Sequence, residues 1–390
     1  ETLRSQRNWT SNPTILSGDI GTSGSTTDDC YHVLLSVSDA STTILDGFTV
    51  TKGNANGVVG SITVETKTIF RTDGGGVNNE SSSPTITNCV FSANLGTSGA
   101  GMYNYSSSPA VSNCTFSNNT ASNIGGGMTN VFSSNPTLTN CTFSGNSATN
   151  YGVAMENNTS DPILTNCIFA GNSSTNGGAM DNYSGADATL INCSFSGNSA
   201  SDVGGGMYNL SASPNMTNCT FSGNKATTSG GGMQNTTCSP TLKNCLIWNN
   251  RVGSTTGSAD ASMTNSTATP TITYSLIQNW NPSGTGNLNG IPNAATSNYP
   301  NFVAPLDPAT APSTAGDFHI TDCSPAINRG TNTVAPTTDL FGNARPFGAT
   351  VDMGVHELQS ASAVPTTANA GPNQSVTINS ATMAANTPVV

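Results

Sequence analysis

The sequence predicts an all-β chain folded as a right-handed parallel β-helix, a solenoid of stacked coils about 26 residues long. Three observations predict it: a cysteine series of fixed spacing, a second box of equal regularity, and a composition suited to a thin continuous core. The cysteines fall at Cys89, Cys114, Cys141, Cys167, Cys193, Cys219 and Cys245, separated by 25, 27, 26, 26, 26 and 26 residues. Self-similarity at such a period marks a repeat architecture in which each unit covers the apolar face of the next. Only 8% of the 390 residues are charged and 6% are aromatic, so no large compact core is available.

Each ladder cysteine is preceded by Asn and followed two residues later by Phe91, Phe116, Phe143, Phe169, Phe195 or Phe221, with Ile247 closing the series. Three residues further on stand Asn94, Asn119, Asn146, Asn172, Asn198, Asn224 and Asn250. Pro84, Pro109, Pro136, Pro162, Pro214 and Pro240 stand five residues before their cysteines. In the second box a small-residue triplet such as Gly125-Gly126-Gly127 leads to Val77, Met102, Met128, Met155, Met180, Met207 or Met233. Two residues on comes an unbroken series of Asn79, Asn104, Asn130, Asn157, Asn182, Asn209 and Asn235.

Runs such as Thr137-Leu138-Thr139-Asn140-Cys141-Thr142-Phe143 alternate with period 2 and read as strand. The Gly, Pro and Asn-rich stretches between them read as turns. Stacked at the spacing of paired strands, about 4.8 Å, equivalent residues form ladders. Phenylalanine then stacks on phenylalanine, and each inward asparagine bonds to the amides above and below, the partner a buried amide requires. The Gly triplets suit turns needing positive φ or close backbone approach. The cysteines read as stacked free thiols acting as small core hydrophobes, because parallel neighbours on one ladder rarely reach disulfide geometry. Weaker coils appear at Ile44–Val50 and Pro270–Ile277, giving 9–12 coils and a rod roughly 45–60 Å long. About 26 residues suffice for two or three short strands plus turns in each coil.

Ten Lys and Arg against 21 Asp and Glu leave a net charge of −11, with no basic stripe to neutralise phosphates, which argues against nucleic acid as a partner. No run approaches the roughly 18 apolar residues of a membrane span, and residues 1–20 do not read as a signal peptide.

The boxes GGGMYN and SPxxxNCxFSxN resemble the GGA-[ILV] and FxxN repeats of chlamydial polymorphic outer-membrane proteins and, more widely, bacterial surface β-helices. The stretches Asp317-Phe318-His319-Ile320, Ser324–Gly330, Thr338–Pro346 and Val351–Glu357 resemble the choice-of-anchor Q region of secreted bacterial proteins. These resemblances imply surface display and adhesion outside a bacterial cell. Residues 367–390 resemble the opening strands of an immunoglobulin-like module, and residues 1–20 the second half of a first coil. The expected organisation is a β-helix over 1–290 and C-terminal coils or a cap over 291–358. A linker over 359–366 and a partial immunoglobulin-like module over 367–390 complete a piece of a longer protein.

The position after the Met series points outward by strand alternation, and reads Asn78, Tyr103, Thr129, Glu156, Asp181, Tyr208 and Gln234. Glu156 and Asp181 therefore stand on adjacent coils. Two carboxylates so close can share a proton, hold Ca2+ or act as acid and base, although solvated surface acids are the expected reading. Tyr103, Tyr105, Tyr183 and Tyr208 share this side, and tyrosines on a flat sheet stack on sugar rings. Asp28 and Asp29, the only adjacent acids, sit in an N-terminal turn and with Asp19 suggest a calcium site. The three histidines, at 32, 319 and 356, are far apart in sequence. Polysaccharide lyases of this fold use Arg or Lys beside an acid cluster, and no regular coil before residue 225 carries either. The expected function is a non-catalytic stalk or adhesin that binds glycans or displays modules. A carbohydrate-active enzyme using Glu156 and Asp181 is one alternative, and a self-assembling filament is another. Segments 52–73 and 251–266 are the irregular stretches that could build a cleft.

Overall fold

The computed structural model describes residues 8–9, 11–57, 59–291 and 298–360. It is a parallel β-solenoid: four sheets of nine or ten short strands run its length, and within each the neighbours come from successive coils. Each coil thus contributes four strands. The first carries Met and Asn inward, as in Met155–Asn158. The second is a three-residue strand with a central aliphatic residue, as in Ile163–Thr165. The third carries phenylalanine, as in Ile168–Ala170, and the fourth runs from two residues, as in Ser173–Ser174, to five, as in Thr120–Ile124.

The run 137–143 is therefore not one strand. Thr137–Thr139 and Thr142–Ser144 belong to different sheets, with a corner at Asn140, whose φ is 55°. The same left-handed corner recurs at Asn88, Asn113, Asn166, Asn192, Asn218 and Asn244. Asparagine tolerates this conformation better than other side chains with a Cβ. The corner lets Leu138, Cys141 and Phe143 all point into the bore, each fully buried.

Parallel register turns the repeats into ladders. From Phe91 to Phe221 the rings stack with centroids 4.5–4.9 Å apart. From Asn79 to Asn265 each Nδ2 donates to the next Oδ1, for instance Asn130 to Asn157 at 2.8 Å and Asn157 to Asn182 at 2.9 Å. A second ladder from Asn94 to Asn250 adds a bond from Nδ2 to the Phe carbonyl of the preceding coil. All ten cysteines are free, and the ladder thiols donate to backbone carbonyls. Gly206 shows what the triplets require: a Cβ there would lie 2.5 Å from the Gly232 carbonyl oxygen.

Residues 298–358 run back along the outward face of the Phe sheet. Ile320, Ala326, Ile327 and Met353 pack on Leu246, Trp248 and Leu276. The corner asparagines of the last coils hold this strap: Asn192 donates to Thr338 O, Asn218 to Asp352 O and Asn244 to Thr331 O. Arg345 and Glu357 are buried inside it, 3.6 Å apart. The expected linker over 359–366 lies outside the described residues beyond Ser360, and the immunoglobulin-like stretch 367–390 lies wholly outside them.

Candidate functional site

The outward face of the Met sheet carries the candidate site. Parallel register aligns Asn78, Tyr103, Thr129, Glu156, Asp181 and Tyr208 in one column. Beside it runs a second outward column, with Glu80, Tyr105 and Val131 on one stretch and Asn158, Tyr183 and Leu210 on another. From Tyr103 to Tyr208 is four rungs, roughly 19 Å.

Glu156 and Asp181 do face away from the bore, but they are not the solvated surface acids that alternation alone suggests. Each is only 4% exposed. The cause is the turn before each strand. Gly152 and Gly177 have positive φ, and this bends the chain back over the strand that follows. A Cβ on Gly152 would sit 2.7 Å from the Glu156 Cβ, and one on Gly177 would sit 3.1 Å from that of Asp181. Tyr151, Tyr183, Tyr208 and Ile124 complete a cleft of about 450 Å³ with the two acids among its lining. Tyr151 and Tyr183 are each 43% exposed, so their rings stand at its edge.

Burial raises both carboxyl groups. Asp181 is pushed up to about 8, and Glu156 is held well above the usual carboxylate range by burial and then by the charge of Asp181. Glu156 Oε2 and Asp181 Oδ1 accept no hydrogen bond among the described residues. The cleft lining includes no Lys or Arg among the described residues.

A smaller cleft of about 210 Å³ lies further up the same face. Its wall is an antiparallel hairpin, Ser61–Val64 paired with Lys67–Phe70, formed by the first irregular segment. The hairpin places Thr66, Lys67, Thr68 and Phe70 against Asn78, Glu80, Tyr103 and Tyr105. Asp73, also in the lining, is pushed up to about 6 by burial. Tyr105 packs against Phe132, ring centroids 4.5 Å apart, and Phe132 is 60% exposed. Tyr103 and Tyr208 are half-buried, so of the four tyrosines expected on an open sheet only Tyr183 is substantially exposed. The second irregular segment forms the short helix Ala259–Ser262 on the flank of the last coils.

At the N-terminus, burial and then the charges of Asp19 and Asp28 raise the Asp29 carboxyl. Asp19 binds Lys52 and the Gly24 amide, while Asp28 accepts from the Thr22 amide. Among the described residues no three His, Cys, Asp or Glu groups are arranged to hold a metal ion. The fold does unite two histidines that the sequence separates. His319 stands 4.5 Å from His356, ring to ring, and its Nδ1 lies 2.5 Å from Asp317 Oδ1. Burial and the charge of His319 push His356 down to about 4, and its Nδ1 accepts the Ile320 amide. Sequence spacing offers no signal for this group, since the strap creates it.

Taken together, fold and face define a parallel β-solenoid with a tyrosine-edged acidic cleft on one sheet. The chain belongs to the family of the right-handed beta helix region, whose model matches residues 15–173, 59–213 and 132–299 in overlapping stretches. No curated protein matches it in sequence. Among solved structures, the crystal structure of pectate lyase Pel9A aligns at 13% identity over 72% of this chain and 79% of that one, with a TM-score of 0.35. Likeness of that degree does not extend to chemistry. No helix among the described residues is long and apolar enough to cross a membrane.

Proposed function

We propose that this chain is a glycan-binding rod of a secreted bacterial protein, which receives a sugar chain along the outward face of the Met sheet. One observation carries the reading: two buried carboxyl groups, each with an unpartnered oxygen, form the floor of a cleft edged by three tyrosines. Buried acceptors without partners are costly, and sugar hydroxyls supply the missing donors. Tyrosine rings at the edge offer apolar faces for the pyranose ring, with hydroxyls able to bond at its rim. The resemblance to bacterial surface β-helices supports the extracellular setting. The test is isothermal titration of the chain with soluble neutral and charged oligosaccharides, beside Tyr183→Ala and Tyr208→Ala. Binding weakened about tenfold or more by either substitution supports the reading, and absence of binding to every sugar defeats it.

A second reading, hydrolysis, is favoured by the raised carboxyl of Asp181. An acid that keeps its proton at neutral pH can donate it to a leaving oxygen, and the neighbouring Glu156, raised in the same direction, can activate water or attack once ionised. Incubation with polysaccharides and counting of new reducing ends checks it. Ends that accumulate, and vanish in Glu156→Gln, establish an enzyme; none with any substrate leaves a binding rod.

A further inference from the structure

We infer that the preferred ligand of the cleft is a glycan bearing free amino groups, with one ammonium seated between Glu156 and Asp181. The inference rests on the glycan-binding reading and names the chemical class within it.

The charges around the cleft are one-sided. Glu156 and Asp181 are the charged residues in its lining, and both carry negative charge when ionised. Asp202 acts on Tyr208 at its edge, with the same sign. Further up the face, Asp73 and Glu80 outnumber Lys67. No protein cation reaches the pair among the described residues: neither acid takes part in an ion pair, and Glu156 Oε2 and Asp181 Oδ1 lack any hydrogen-bond partner.

Such a pair discriminates among sugars by charge. A uronate would bring a third acidic group and no positive charge, so it offers nothing that favours ionisation of a pair whose burial raises both carboxyl groups. A neutral hydroxyl satisfies one acceptor and leaves the electrostatics unchanged. An ammonium supplies three donors and the positive charge that lets the buried pair ionise, with protons released as it binds. Its seat is preorganised, because in-register pairing of Met155–Asn158 with Met180–Tyr183 fixes the two carboxyl groups side by side. The tyrosines hold the ring, and the acid pair reads the substituent.

The test is titration of the full chain, at physiological salt, with three oligosaccharides of matched length: a glucosamine oligomer, its fully N-acetylated counterpart, and an oligogalacturonate. The glucosamine oligomer is expected to bind at least tenfold more tightly than the acetylated one, and the oligogalacturonate most weakly. The double substitution Glu156→Gln with Asp181→Asn should abolish the preference while the acetylated oligomer still binds. Asp322→Asn, an exposed acid on the strap, should leave the preference unchanged and so separates the site from the chain's general negative charge. Equal affinity for the amino and acetylated oligomers, a preference for the uronate, or a preference that survives the double substitution overturns the inference while leaving the glycan reading intact. Absence of binding to all three overturns the inference, and only absence of binding to every oligosaccharide of the wider titration defeats the glycan reading as well.

Discussion

Glu156 and Asp181 are direct register partners on adjacent coils, both buried to 4% exposure on the side of the sheet that faces away from the core. A strand's outward face is ordinarily where a solenoid meets water. Here the turns at Gly152 and Gly177 and the tyrosine rim turn it into an interior that no Lys or Arg among the described residues lines.

This relationship makes stability depend on pH with a definite sign. Asp181 titrates at about 8 in the folded chain against 3.8 as an ordinary carboxyl, and Glu156 shifts in the same direction. Between those values the folded state binds more protons, so this contribution is greatest below about pH 4 and is lost as pH rises through about 8. Asp181→Asn should remove up to about 1.4 kcal/mol per pH unit of that slope. His356 acts in the opposite sense: held at about 4 against 6.5, it favours the folded state more as pH rises to about 6.5. Urea titrations of the parent and Asp181→Asn across pH 4–8 isolate the acid pair by difference, and parallel pH profiles would refute its burial.

The inner asparagine ladder should be asymmetric. Asn157 both accepts from Asn130 and donates to Asn182, whereas Asn79 donates to Asn104 and its Oδ1 has no partner among the described residues. Asn157→Ala orphans a donor on one side and an acceptor on the other, a loss of about 2–5 kcal/mol. Asn79→Ala orphans one acceptor and should cost about half as much. Equal losses by chemical denaturation would mean the ladder bonds do not set the cost.

Thiol reactivity should sort by position. Cys323 is exposed and Cys30 half-buried, while the seven ladder cysteines and Cys238 are buried. A thiol-reactive dye should label Cys323 rapidly in the native chain, Cys30 slowly, and the other eight only on unfolding. Cys323→Ser should remove the fast phase; fast labelling of several ladder thiols would be incompatible with a closed bore.

The strap should be necessary for the last coils. Ending the chain at residue 291 uncovers Leu246, Trp248 and Leu276, which it now covers with Ile320, Ile327 and Met353. The truncated chain is expected to show red-shifted tryptophan emission and to bind a hydrophobic dye, with the upstream Phe stack still folded. Unchanged emission would show that the strap is not needed to shield that face.

The coil length, the inward Phe, Cys and Asn ladders and the outward direction of Glu156 were all legible in the sequence, because a solenoid repeats one local environment and period 2 assigns each residue a side. The corners were less legible. Asn140 reads as one more strand residue until its left-handed φ divides 137–143 between two sheets, and only this division shows that each coil carries four short strands. What tertiary structure alone decided is which outward residues leave water. Alternation gives direction but not cover, and cover came from Gly152 and Gly177 bending the chain over the acids, from the hairpin 61–70 over Tyr103, and from the strap over Trp248. Each is a contact between segments with no shared period, so no repeat in the sequence announces it.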